Sequence, residues 1–177
     1  MLTALPTLDA LLAAHTESLG EDATGYRHHA YRVANFYWQL APGDADALEK
    51  LNIAVAFHDL GIWTAGTFDY LAPSRQLARA HLQAVGRADW CEEVEAMIDA
   101  HHRIRDTPAG THASVEAFRR ADWIDVSRGA HRFGLTRADV RKVMDAFPNA
   151  GFHLRLAVLT LQRLRRHPFD PLPMMRW

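Results

Sequence analysis

Eleven histidines stand in a chain of 177 residues, more than core packing ordinarily uses. Imidazole and carboxylate together form a donor set for divalent transition metals. One helix can offer a single ion only about two ligands, so a site needs donors from several elements. His29, the adjacent pair His58-Asp59, and Asp122 meet that condition, because they fall in three separate stretches of helical pattern. Neighbours inside a helix point about 100° apart and rarely share an ion. The His58-Asp59 pair is therefore expected at a helix terminus, where the backbone leaves helical geometry. Gly61, two residues on, suits that departure as a left-handed C-terminal residue. An ion held this way lowers the pKa of a bound water to roughly 7, and Asp59 can help accept the proton.

Helical spacing runs from end to end of the chain. Leu8, Leu11, Leu12 and His15 define a first helix near 7–19, closed by Gly20. A second, from about Gly25 to Leu40, puts Val33, Phe36, Tyr37 and Leu40 on one face and carries His29. Asp44 or Asp46 caps a third, mostly buried helix that ends at the His58-Asp59 pair. Residues 62–73 have mixed aromatic and turn chemistry, which predicts a loop, and Ser74 then caps a helix to about Val85. Asp89 and Glu92 make a capping-box pattern for a helix ending at His101 or His102. Further helices follow over about Ala113–Ser127, from Thr136 with Asp139 to before Pro148, and over about Phe152–Arg166. The three prolines of the tail, which ends at Trp177, predict an extended, packed strap. No strand alternation or internal repeat is present. The pattern predicts an all-α bundle of about seven to eight helices, a single domain over 1–177 with no dividing linker.

Three segments in series resemble the HD superfamily. H-x-x-R-V occurs as His29-Ala30-Tyr31-Arg32-Val33, the apolar run AVAFHDLG carries His58-Asp59, and A-D-x-x-D occurs as Ala121-Asp122-Trp123-Ile124-Asp125. The resemblance covers roughly residues 25–127 (with the C-terminal helix and tail, 150–177, outside it) and implies a metal-dependent enzyme, most often a phosphohydrolase. It selects His29 over His28, and Asp122 over the competing carboxylate Asp125. Dinuclear members of the superfamily carry extra histidines for a second metal. His81 and His101 fit that order, which would make Asp59 the bridge, with His102 the alternative to His101. Otherwise His81 is a solvated helix residue and His101-His102 a helix-end pair favoured by the dipole. The remaining histidines match nothing in the pattern.

Arg32 shares a helix face with His29 at i+3 and is a candidate for orienting phosphate in catalysis, or else a structural ion pair. Arg75, Arg79 and Arg103 flank the optional histidines. In the loop after the pair, Trp63, Thr64, Phe68, Asp69 and Tyr70 are candidates for a substrate wall, or simply pack the loop onto the core. The Lys or His that several HD families place soon after the HD pair is missing from Gly61-Ile62-Trp63, and the superfamily's second-messenger phosphodiesterase motifs are absent. Cyclic-dinucleotide hydrolysis is therefore not expected. Two enzymatic readings remain: a phosphohydrolase acting on a small phosphoester or nucleotide, and a di-iron oxygenase cleaving a C–C or C–P bond with O2. A non-catalytic binding module is the third.

Composition narrows the partners. Net charge is −1, so no global field attracts nucleic acid or an acidic membrane. The 20 basic residues are arginine except for Lys50 and Lys142. No stretch reaches the roughly 18–20 apolar residues of a membrane span. A single cysteine, Cys91, rules out an internal disulfide and suits a reducing cytoplasm. The expected partner is a small-molecule substrate. The expected cofactor is one or two ions of Mn, Fe, Co, Ni or Zn, with two preferred on the histidine series.

Overall fold

The computed structural model describes residues 1–175; Arg176 and Trp177, the end of the expected strap, lie outside the described residues. The elements are α1 (Pro6–Ala14), α2 (Thr16–Leu19), α3 (Ala23–Leu40), α4 (Ala45–Phe57), α5 (Gly61–Thr64), α6 (Leu71–Ala84), α7 (Cys91–Ala100), α8 (Ala113–Val126), α9 (Arg137–Ala146) and α10 (Phe152–Arg166). All except α2 and α5 have nine residues or more, and no strand occurs among the described residues. The protein is an all-α bundle.

The central element is α3, which buries Tyr26, Ala30, Val33 and Phe36 along one side and packs chiefly on α8 and α4. α7 lies against α6, α8 and α4, and α1 covers α4. Apolar side chains from Leu5 to Phe152 join in one continuous core. Several ends form as their chemistry dictates. Asp44 caps α4 by accepting the Ala47 N–H at 2.8 Å, and Thr136 with Asp139 forms a reciprocal capping box on α9. A smaller cluster of Ile62, Phe68, Tyr70, Leu71 and Met174 ties the C-terminal strap over the loop that follows the His58-Asp59 turn.

Four local expectations are corrected. The first helix breaks at His15 into α1 and α2. The stretch 62–73 is not wholly loop, because Gly61–Thr64 makes a helical turn and α6 begins at Leu71. Ser74 thus lies inside α6 rather than capping it, and its hydroxyl accepts the Gly61 N–H at 3.0 Å. Asp89 makes no cap, since a 3-10 turn over Ala88–Trp90 leads directly into α7.

Gly61 is not left-handed. The chain stays right-handed after α4 and tightens to i→i+3 bonds, Leu60 N–H to the Phe57 carbonyl at 3.1 Å and Ile62 N–H to the Asp59 carbonyl at 3.0 Å. Glycine is needed there for closeness. A Cβ at Gly61 would sit 2.6 Å from the Tyr70 carbonyl oxygen and 2.9 Å from Ser74 Oγ. No described helix is long and apolar enough to cross a membrane.

Candidate metal centre

Four helices direct donors to one buried point. His29 lies within α3, His58 and Asp59 in the tightened turn after α4, His101 and His102 in the turn after α7, and Asp122 on α8. His29, His58 and His101 are fully buried, Asp59 and Asp122 nearly so. Asp59 Oδ2 stands 3.5 Å from His29 Nε2 and 3.4 Å from His58 Nε2. Its other oxygen stands 3.3 Å from His101 Nε2. Asp122 also reaches both ways, with Oδ1 3.6 Å from His29 Nε2 and Oδ2 3.5 Å from His102 Nδ1. Two overlapping groups result, each compact enough to hold a metal ion: His29, His58 and Asp59, and then Asp59, His101 and His102.

The distal nitrogens are pinned. His29 Nδ1–H donates to Asp125 Oδ2 at 2.6 Å, His58 Nδ1–H to the Val55 carbonyl at 3.0 Å, and His101 Nδ1–H to the Ile98 carbonyl at 2.6 Å. Each bond fixes the tautomer and turns a bare Nε2 toward the carboxylates, the arrangement that orients metal-ligating imidazoles. His102 is held the other way round, with Nε2 2.7 Å from the Tyr70 hydroxyl and Nδ1 toward Asp122.

These inward-facing atoms lack ordinary partners. His101 Nε2, Asp59 Oδ1 and both oxygens of Asp122 are buried with no hydrogen bond, although buried polar groups nearly always have one. The Nε2 atoms of His29 and His58 approach to 2.8 Å while both Nδ1 atoms are already donors. Two lone pairs facing each other repel unless a cation lies between them or one nitrogen gains a proton. Unpaired buried oxygens, bare imidazole nitrogens and opposed lone pairs together fit a divalent cation.

Without a metal, a proton on His29 takes the cation's place between the two nitrogens. Burial opposes charge on His29, but hydrogen bonds to Asp125 and Asp59 outweigh it and hold the imidazole up at about 9. Burial drives His58 down to about 3 and His102 well below the usual imidazole range. Burial also lifts Asp122 to about 7, against the pull of His101 and His29. Asp59 is pulled the other way. The nearby His58, His101 and His29 overcome its burial and hold it well below the ordinary carboxylate range.

Around this centre sits a supporting layer. Asp125, fully buried, accepts Arg32 Nη2 at 2.9 Å and Arg32 Nε as well as His29. Phe152 stacks on the His29 ring at 4.0 Å between centroids. The Tyr26 hydroxyl donates to the Ala56 carbonyl at 3.0 Å and accepts the Asp59 N–H at 3.3 Å, anchoring the turn.

Several sequence candidates lie elsewhere or do other work. His81 is not brought to the cluster. It packs on the outer side of Phe57, with ring centroids 5.7 Å apart, and lines a separate cavity with Thr7, Glu49 and Trp90. Its place in the second group is taken by His102, because the turn after α7 points both of its histidines inward. Arg32 is a structural ion pair. Nε and Nη2 bind Asp125, Nη1 donates to the Phe147 and Pro148 carbonyls at 3.0 and 3.3 Å, and the fully buried guanidinium is not presented to a substrate.

Arg75 pairs with Asp99 and Arg79 with Glu95. Trp63 donates to Asp22 at 2.8 Å and packs on Tyr26, Thr64 bonds the Leu60 carbonyl, and Asp69 is exposed. Arg103 follows His102 directly, and its Nε is buried without a partner. The sequence reading missed Tyr70 as the holder of His102 and Phe152 as the cover of His29. A tyrosine in a loop and an aromatic opening a helix carry no pattern that separates these roles from packing.

The chain matches no family model, and neither curated proteins nor solved structures give a match.

Proposed function

We propose that this chain is an HD-type, metal-dependent phosphohydrolase with a dinuclear centre, acting on a small phosphoester or nucleotide. The carrying observation is the placement of Asp59, whose two oxygens face two different imidazole sets. In this reading His29, His58, Asp59 and Asp122 would hold one ion, and Asp59, His101 and His102 the other, with Mn, Fe, Co, Ni and Zn all compatible with the donors. When bound, the ions supply a water ionised near neutral pH and a Lewis-acid hold on the phosphoryl oxygens.

The protein's own part is positional. Asp125, Val55 and Ile98 keep three imidazoles in the ligating tautomer. Asp122 has an oxygen free of hydrogen bonds that can take up the proton released from water, while Asp59, held acidic by the histidines around it, serves as a ligand. Burial of every ligand except the partly exposed His102 excludes competing solvent. The free Cys91 suits a reducing compartment such as the cytoplasm.

One observation favours a second reading, a di-iron oxygenase. Arg32, Arg75 and Arg79 are all committed to carboxylates, which leaves Arg103 alone among the sequence candidates as a cation for phosphate. Protein stripped of metal and reloaded with Mn(II) under anaerobic conditions separates the two. Release of phosphate from phenyl phosphate or glycerol phosphate without O2 is the expected result. No phosphate release, together with substrate-dependent O2 uptake by Fe(II)-loaded protein, would reverse the assignment.

A further inference from the structure

A cavity of about 250 Å³ lies beside the centre, and His102 forms part of its wall. Phe68, Tyr70, Trp123, Leu156 and Met174 supply most of the rest. Cavities lined by Arg163, by Asn35, by Arg137 and by His81 contain none of the residues that converge on the centre.

The wall residues include no lysine, arginine, aspartate or glutamate. Two polar groups that could serve a ligand are already committed. Thr160 Oγ1 donates to the Leu156 carbonyl at 2.8 Å, and the Tyr70 hydroxyl is bonded to His102. A second cavity of about 310 Å³ shares the Phe68 wall and gathers Arg155, Arg163, Arg166 and His167, so charge is kept out of the first. A cavity of about 150 Å³ suffices for benzene, so this one accommodates a ring with a few further atoms. Methionine in its wall adapts to varied shapes.

We propose that this cavity receives an uncharged, apolar group of about one ring in size, belonging to the substrate whose reacting end lies at the metal centre. The inference rests on the metal-centre assignment and deepens it. It favours an aryl or alkyl phosphoester over a nucleotide or polyphosphate, whose charged or hydrogen-bonding parts would find no partner on these walls.

Calorimetry of Mn(II)-loaded protein with phenylphosphonate and methylphosphonate, neither of which is a phosphate ester, tests it. Phenylphosphonate is expected to bind at least about tenfold tighter. The advantage should fall below about threefold in Thr160→Phe, which fills the cavity, with bound manganese unchanged. Leu172→Trp, on the partly exposed strap beside the cavity, should act likewise and serves if the first variant does not fold. Equal binding, no binding of either, or an advantage that survives in the folded variants would overturn the proposal. Turnover distinguishes this from the hydrolase assignment. Equal phosphonate binding with rapid phosphate release defeats the cavity proposal alone. A phenyl preference without any phosphate release supports the cavity and defeats the hydrolase assignment.

Discussion

Replacing Asp125 by asparagine tests whether the support of His29 is as strict as the geometry implies. The carboxylate accepts three hydrogen bonds, from His29 Nδ1 and from Arg32 Nε and Nη2, in a fully buried setting. Asparagine has one acceptor oxygen and one amide that only donates. If its oxygen takes the Oδ2 place, it still accepts His29 Nδ1–H and Arg32 Nη2–H, but the amide confronts the Arg32 Nε–H. If its amide faces His29 Nδ1, the imidazole proton must move to Nε2, which can then no longer ligate.

Either arrangement leaves the Arg32 charge poorly compensated, and breaking such a buried pair costs roughly 3–5 kcal/mol. An independent handle comes from the carboxyl itself, which Arg32 and His29 hold down from 3.8 to about 2 despite burial. That depression corresponds to about 2.5 kcal/mol. Because the folded value is lowered, this stabilisation is complete above about 3.8 and vanishes as pH falls through about 2. Urea unfolding of metal-free Asp125→Asn at pH 7 should therefore show a loss of about 3 kcal/mol or more. Metal titration of the folded variant should show affinity weakened by about 10–100-fold. A variant within about 1 kcal/mol of the parent, with unchanged metal affinity, would refute the reasoning.

The remaining expectations concern the ligand set and its frame. His102→Ala should lower bound metal toward one ion per chain, while His81→Ala should leave it unaltered; elemental analysis of both reads the difference, and loss of metal in the His81 variant would count against the assigned ligands. Metal binding at pH 7 should release more than one proton, because His29 titrates at about 9 and Asp122 at about 7 in the metal-free cluster, and the nearby carboxylates of Asp59 and Asp122 raise His101 as well, against its burial. Calorimetry in buffers of differing ionisation enthalpy measures this, and zero release would contradict it. His29's folded value is raised, so its contribution to metal-free stability is full below 6.5 and lost as pH rises through about 9, the direction in which metal affinity increases. Gly61→Ala forces a Cβ to within 2.6 Å of the Tyr70 carbonyl, and should cost about 1–3 kcal/mol by thermal unfolding. An unchanged midpoint would show that the turn has room to yield.

The sequence reveals the fold where periodicity and end chemistry coincide, as at the Asp44 cap and the Thr136–Asp139 box. It points to the convergence of His29, His58, Asp59 and Asp122 because three segments in series resemble the HD pattern; the His-Asp pair by itself is a weak signal. It fails at His81, where helical spacing cannot tell an inward from an outward turn of α6 over Phe57. It fails in another way at Gly61. Both a left-handed cap and a close approach of backbone call for glycine, and only the position of Tyr70 and Ser74 decides between them. The ion-pair role of Arg32 is one of its two readings, but its partner Asp125, 93 residues away, is not legible. Tyr70 and Phe152 act through contacts made by the tertiary fold, which no local pattern announces.

Anomalous diffraction at the metal edge from crystals of the Mn(II)-loaded protein tests the central claim most directly. Two peaks roughly 3.5–4 Å apart are expected, one among His29, His58, Asp59 and Asp122, the other beside His101 and His102, with Asp59 touching both. Density for an ion seated away from these side chains, with the cluster itself empty, would contradict it.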